Sequence, residues 1–118
     1  MIINELLRSA ILPVVPVCEP HSYDGVEPVY CVFNYVIIPW TYADGMPLSV
    51  NYSTQVHLYM PLRLDPLDLI SQISLALQCA GFPCPEIQDA SDKASQHYVF
   101  EFSHIVYESD VVSHDREN

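Results

Sequence analysis

Glycine is scarce in this chain: Gly25, Gly45 and Gly81 are the only three in 118 residues. A loop that cradles phosphate needs closely spaced glycines, so that backbone N–H groups can approach the anion. That chemistry is excluded, and each glycine has a turn or a helix end to explain it. Basic residues are few as well. Arg8, Arg63, Lys93 and Arg116 stand scattered against 15 acids, for a net charge of −11. Nucleic-acid binding needs clustered Lys and Arg to neutralise phosphates, so sequence-specific binding of nucleic acid is not expected. An anionic membrane surface would repel the chain too. The acids are spread along the sequence and read as solubility, or more sharply as a surface that does not hold passing DNA.

Long apolar runs are missing. Half of the residues are hydrophobic, enough for one core. Pro or Asn breaks every run well short of the roughly 20 residues that span a bilayer. No basic start leads into an apolar stretch with a cleavage site. A soluble, intracellular single domain over 1–118 is expected, with no membrane partner. Reactive signatures are missing too. Cys18, Cys31, Cys79 and Cys84 form no CxxC and are expected as free thiols. Cys31 in an apolar strand and Cys79 late in a helix suit the role of a small hydrophobe. Cys79 and Cys84 are the closest pair, but Gly81 and two prolines lie in or beside it, and HExxH and GxSxG do not occur. Asp65 and Asp68 are explained by helix capping, and Asp89 and Asp92 by a loop. No catalytic residue, cofactor or metal is expected.

What the chain does have is punctuation. Ile3, Leu6, Leu7, Ala10 and Ile11 fall on one stripe of period near 3.6, predicting a helix over 2–12 that Pro13 stops. Pro13, Pro16 and Pro20 force an extended, irregular path to a turn at Tyr23-Asp24-Gly25. Val29 to Ile38 is β-branched and aromatic on both faces, so it reads as a strand whose second face is covered by another part of the chain or by a partner. Pro39 and the Ala43-Asp44-Gly45-Met46-Pro47 cluster mark a loop or hairpin tip. Leu48 to Tyr59 returns as an antiparallel strand. Tyr52, Thr54, Val56 and Leu58 share one face of it, and Ser53, Gln55, His57 and Tyr59 share the wetter one.

The next helix is the best defined element. Asp65 suits its N-cap, Pro66 its first position, and Asp68 its positive end. Leu67, Ile70, Ile73, Leu77 and Ala80 form the predicted buried stripe, and Gly81 with Phe82 the C-terminal cap. A short strand begins near Ile87. A last strand over 96–105 carries Tyr98, Phe100 and Phe102 on one face and His97, Val99 and Glu101 on the other. The chain from 106 to 118 is expected to fray. The order predicts an α+β fold, a mostly antiparallel sheet of about four strands with two helices packed on one face. His57 and His97 would share a sheet face if their strands pair, and are expected as partly exposed strand histidines.

Thirteen aromatic residues (eight Tyr, four Phe and one Trp) are many for a small domain. Most should be core. Trp40, Tyr42 and Met46 beside the hairpin tip are candidates for an assembly contact, because exposed aromatics and Met mark protein interfaces. His57 and Tyr59 on the wetter face are further contact candidates.

Five segments carry a resemblance: Val32-Phe33-Asn34-Tyr35; the loop ending Ala43-Asp44; Val56-His57-Leu58-Tyr59-Met60-Pro61; Ala76-Leu77-Gln78-Cys79-Ala80-Gly81-Phe82; and His97-Tyr98-Val99-Phe100-Glu101-Phe102. Their order and spacing, from Glu27 to Ser103, resemble small tail-completion or tail terminator proteins of long-tailed phages and prophages of Gram-positive bacteria. The resemblance implies a non-enzymatic protomer that assembles with itself into a ring, often a hexamer. The ring would cap the tail tube, meet the head connector and let DNA pass through its centre. The implied location is the virion or the cytoplasm of the bacterial host, and the implied partners are further copies, tail-tube proteins and head-connector proteins. The alternatives from the residues themselves are a small-molecule-binding module or minor enzyme, with a pocket between sheet and helices near His57, His97 and Glu101, and a metal protein using Cys79 and Cys84.

Overall fold

A computed structural model describes residues 2–43 and 45–107, with side chains at all of these except 40, 42, 43 and 46–48. Helix α1 (Ile3–Ile11) is followed by strands β1 (Cys18–Pro20), β2 (Tyr30–Ala43) and β3 (Met46–Met60). Helix α2 (Leu67–Cys79) and strands β4 (Glu86–Asp89) and β5 (Gln96–Tyr107) complete the chain. The five strands form one sheet in the order β1-β2-β3-β5-β4. β1 runs parallel to β2, and the other three pairings are antiparallel.

Strand alternation decides which side chains meet the helices. Phe33 pairs with Val56, and Val56 with Phe100, so these three share a face. Cys31, Leu58 and Phe102 extend that face, and Ile3, Leu7 and Ile11 of α1 and Ile73 and Leu77 of α2 bury it. Both helices therefore lie on one side of the sheet. The Tyr35 hydroxyl donates to Asn4 Oδ1 at 2.7 Å and ties β2 to the first turn of α1. Gln96 is buried, and its amide donates to the carbonyls of Pro61 (2.9 Å) and Leu64 (2.7 Å), clasping the chain that leads into α2.

The ends of α2 follow from its sequence. Asp65 Oδ1 accepts from the Leu67 N–H at 3.1 Å, the bond expected of a cap, while the helix itself starts at Leu67 with Pro66 before it, one residue later than predicted. At the other end Gly81 takes φ +99°, and the N–H groups of Phe82 and Gly81 donate to the carbonyls of Leu77 and Gln78. That is the Schellman arrangement, and it turns Phe82 back into the core.

Several expectations need correction. The sheet has a fifth strand, because Cys18–Pro20 of the proline-rich segment pairs with Cys31–Phe33. β2 does not stop at Ile38. It continues through Pro39 to Ala43, with irregular register between Pro39 and Tyr42. An edge strand tolerates a proline whose missing N–H would have faced solvent. Leu67 is exposed on the first turn of α2, where Leu69 and Ile70 make the core contact instead, and Cys79 is exposed as well. β5 runs on to Tyr107, so positions 106 and 107 are strand; the rest of the tail expected to fray, 108–118, lies outside the described residues. Cys18 and Cys31 are buried partners in the core, and burial pushes the Cys18 thiol up to about 12 and Cys31 higher still. Among the described residues no helix is long and apolar enough to cross a membrane.

The long strands outrun the helices. The molecule measures 54 × 26 × 25 Å with a radius of gyration of 15.8 Å, against about 13.5 Å for a compact chain of this length. The excess is the arm made by the far halves of β2, β3 and β5.

Candidate functional site: the open sheet face and its free edge

The face of the sheet turned away from the helices carries Tyr30, Val32, Asn34, Val36 and Ile38 from β2. Across from them stand Tyr59, His57, Gln55, Ser53 and Asn51 from β3. His97, Val99, Glu101, Ser103 and Ile105 follow from β5, and Glu86 and Gln88 from β4. At the helix-backed end, this face is polar and ordered. His57 Nδ1 and His97 Nε2 are 2.8 Å apart. The Asn34 amide nitrogen makes a long contact, 3.5 Å, with His57 Nε2. In that amide orientation His57 carries its proton on Nδ1 and donates to His97. Tyr59 lies flat on His97, with ring centroids 4.2 Å apart and planes 14° apart, and Tyr30 stacks on Tyr59 at 5.1 Å. Tyr23 continues the row against Tyr30 at 4.9 Å.

Burial sets the charge of this cluster. Desolvation, with His97 beside it, lowers the pKa of His57, and Glu101 opposes the shift. Desolvation also lowers His97, with Asp92 and Asp89 opposing. Burial raises Tyr59. The pair is therefore neutral at pH 7. Next to it the Gln55 amide donates to Glu101 Oε1 at 3.0 Å.

At the other end of the sheet β2 is apolar and exposed. β1 covers β2 only at Cys31–Phe33, and the His21 N–H bonds the Phe33 carbonyl. From Asn34 to Ala43, among the described residues, no strand lies against the outer edge of β2. Val36 is 63% exposed, Ile37 57% and Ile38 40%. Val36 and Ile38 point to the open face, and Ile37 to the helix side beyond the helices. Asn51, in register with Ile38 and Ile105, has its Oδ1 buried with no hydrogen-bond partner among the described residues. Val32 by contrast is buried, between Glu19 and His57 in register. On this second face of β2, Val32 is thus buried among its sheet neighbours, whereas Val36 and Ile38 are exposed.

His57 and Tyr59 sit together on the open face, as their parity predicted. The side chains of Trp40, Tyr42 and Met46 lie outside the described residues; their backbones belong to the arm, where Tyr42 pairs with Pro47 and Ala43 with Met46. His57, His97 and Glu101 face away from the helices, so a pocket between sheet and helices does not include them. Glu101 instead lines an open cleft of about 490 Å³ at the β4–β5 edge, with Ser53, Pro83, Cys84, Glu86, Phe102 and Ser103. Glu86 and Glu101 stand directly opposite each other there, a like-charge pair that weakens the strand contact. Cys79 and Cys84 are both exposed free thiols, and among the described residues no group of three or more His, Cys, Asp or Glu could hold a metal ion. Sequence reasoning missed Tyr23, Tyr30 and Asn34. The hairpin register would have found the last two, since Tyr30 falls opposite Tyr59 and Asn34 opposite Gln55. Compared with known family models and with curated proteins, the sequence matches none.

Proposed function

We propose that this chain is a structural subunit of a long-tailed phage or prophage. It acts at the tail end or the head–tail junction by joining further copies of itself into a closed ring that docks to tail-tube and head-connector proteins. One observation carries the self-assembly: the outer edge of β2, which no strand pairs beyond Phe33 among the described residues, exposes Val36, Ile37 and Ile38 on its two faces. Edge strands of monomeric proteins are usually blunted by charge or covered, because an apolar open edge templates another chain. Here the edge carries no charged residue from Asn34 to Ala43. The specific phage setting rests on the family resemblance.

Charge supports a second copy as the occupant. Two molecules of net charge −11 repel each other at most approaches. Between Glu27 and Arg63, however, the only Asp, Glu, Lys or Arg is Asp44. The arm is the part of an acidic chain where another acidic chain can come close. A closed ring needs two different surfaces that fit each other. β4 pairs only with Tyr98–Glu101, and β5 beyond it, Phe102–Tyr107, also carries no Asp, Glu, Lys or Arg. The β2 edge of one copy meeting the β5 edge of the next would continue the sheet from subunit to subunit.

The test is the assembly state. Analytical ultracentrifugation over a range of concentrations, with negative-stain images, should reveal a closed oligomer favoured by added salt, which screens the acidic repulsion. Val36→Lys with Ile38→Lys should abolish it and leave a folded monomer. A chain that stays monomeric at high concentration, with and without neighbouring tail proteins, overturns the proposal.

A further inference from the structure

The imidazoles of His57 and His97 hold a geometry that the assembly reading does not use. His57 pairs in register with Val99 and His97 with Tyr59, so the two are diagonal neighbours across β3 and β5. Their facing nitrogens, Nδ1 and Nε2, lie 2.8 Å apart. One proton fills that gap. A site on two paired strands in mid-sheet is held more rigidly than one on loops. Tyr59 flat against His97 restricts the turning of that ring.

We propose that His57 Nδ1 and His97 Nε2 form a two-imidazole chelate for a borderline divalent cation of the Zn²⁺, Ni²⁺ or Cu²⁺ class. Imidazole nitrogen suits these ions, whereas Mg²⁺ and Ca²⁺ take oxygen ligands. With Zn–N bonds of about 2.0–2.1 Å and tetrahedral angles, the two nitrogens must stand about 3.3 Å apart. The pair has to open by about half an ångström, and the turn that brings both lone pairs onto the ion falls to the His57 ring, which lies 6.4 Å from Tyr59 and is not held by the close stack that fixes His97. The proton count closes. His57 gives up its Nδ1 proton and takes one at Nε2, so the neutral ring binds metal through Nδ1 with no net release. The new Nε2–H faces the Asn34 side chain, whose amide turns to present Oδ1 as acceptor. Asn34 thus becomes the outer partner that orients the ligand, as such partners commonly do at metal-bound histidines. The remaining coordination positions stay open on the bare face of the sheet, to water or to a side chain of another molecule.

Calorimetric titration with Zn²⁺ tests the site, on the full chain carrying Cys79→Ser and Cys84→Ser so that exposed thiols do not compete. One saturable equivalent per chain is expected, undiminished by excess Mg²⁺. His57→Gln or His97→Gln should weaken it by about a hundredfold, the loss of one arm of a chelate. Asn34→Ala should weaken it by about tenfold. Long-range ¹H–¹⁵N spectra of the unsubstituted imidazoles supply a second readout that needs no histidine variant. Zn²⁺ should move Nδ1 of His57 and Nε2 of His97 and leave His21, His104 and His114 in place. No saturable binding, binding unchanged in both histidine variants, or shifts confined to His21, His104 or His114 each overturn the assignment.

Discussion

The two halves of the β2–β3–β5 sheet are built from similar side chains and end in opposite states. In the helix-backed half, Cys31, Phe33, Val56, Leu58 and Phe100 are buried. A few residues further along β2, Val36, Ile37 and Ile38 are as apolar and stand exposed. Composition does not separate the halves; the presence of a second layer does. α1 and α2 supply that layer over one half, and among the described residues no helix lies over the other. The contrast is strongest in a pair of truncations. Phe100→Ala should cost about 4 kcal/mol of unfolding free energy, a buried aromatic lost with a cavity left behind. Val36→Ala should stay within about 0.5 kcal/mol in a dilute monomer. Urea unfolding followed by circular dichroism measures both. A large cost at Val36 in the monomer would mean that the arm already packs against its own chain.

The join between helix layer and sheet gives a second, smaller effect. Gln96 donates to the Pro61 and Leu64 carbonyls and accepts from the Tyr98 hydroxyl at 2.6 Å. Gln96→Ala should cost about 2 kcal/mol, because it leaves carbonyls and a hydroxyl without their partner. The loss should also loosen the segment 61–66 that leads into α2, read as faster amide exchange in its first turn. An equal loosening of the β2–β3 arm would show that the two halves unfold as one unit and erase the distinction.

What the sequence disclosed of this division, and what it hid, has a physical basis. α2 was legible because both its ends are marked by local chemistry: Asp65 before it, and Gly81 at φ +99° after it. Face parity in β3 and β5 was legible because it depends only on alternation. It placed His57 and Tyr59, and His97 and Glu101, on the correct side. Register was not legible, since it is fixed by strand pairing; the diagonal contact of His57 with His97 could be stated only on condition that β3 and β5 meet. β1 was hidden because a three-residue parallel strand flanked by prolines has no periodicity to read. Its place is chosen by burial of Cys18 against Cys31. Pro39 read as a stop because proline breaks a central ladder, but β2 is an edge there. Leu67 fits the helical stripe of α2 and is nonetheless exposed, while Leu69 and Ile70 of the same turn pack against the core. The resemblance to tail-completion proteins rests on packing segments, and the phage role built on it is a proposal that assembly experiments decide.

The smallest expected effect lies at the boundary between the two halves, at His104. Its ring meets the edge of Phe82 at 4.8 Å and leans toward Tyr52 at 6.5 Å, just where the helix layer ends. Desolvation lowers its pKa below the ordinary 6.5. The unfolded chain therefore takes up a proton here near pH 6.5, while the folded chain resists until the pH is lower. The unfolded state binds more protons in that window, so stability falls as pH drops through 6.5 toward the depressed folded value, and is fully present above it. His57 and His97 are lowered as well and slope the same way. The His104 share is isolated by difference: urea midpoints between pH 5 and 8 for the natural chain and for His104→Gln. The variant should show the shallower loss on acidification. Identical pH profiles would place His104 in water, and the helix layer would then end short of Phe82, moving the boundary between covered and bare sheet toward α2.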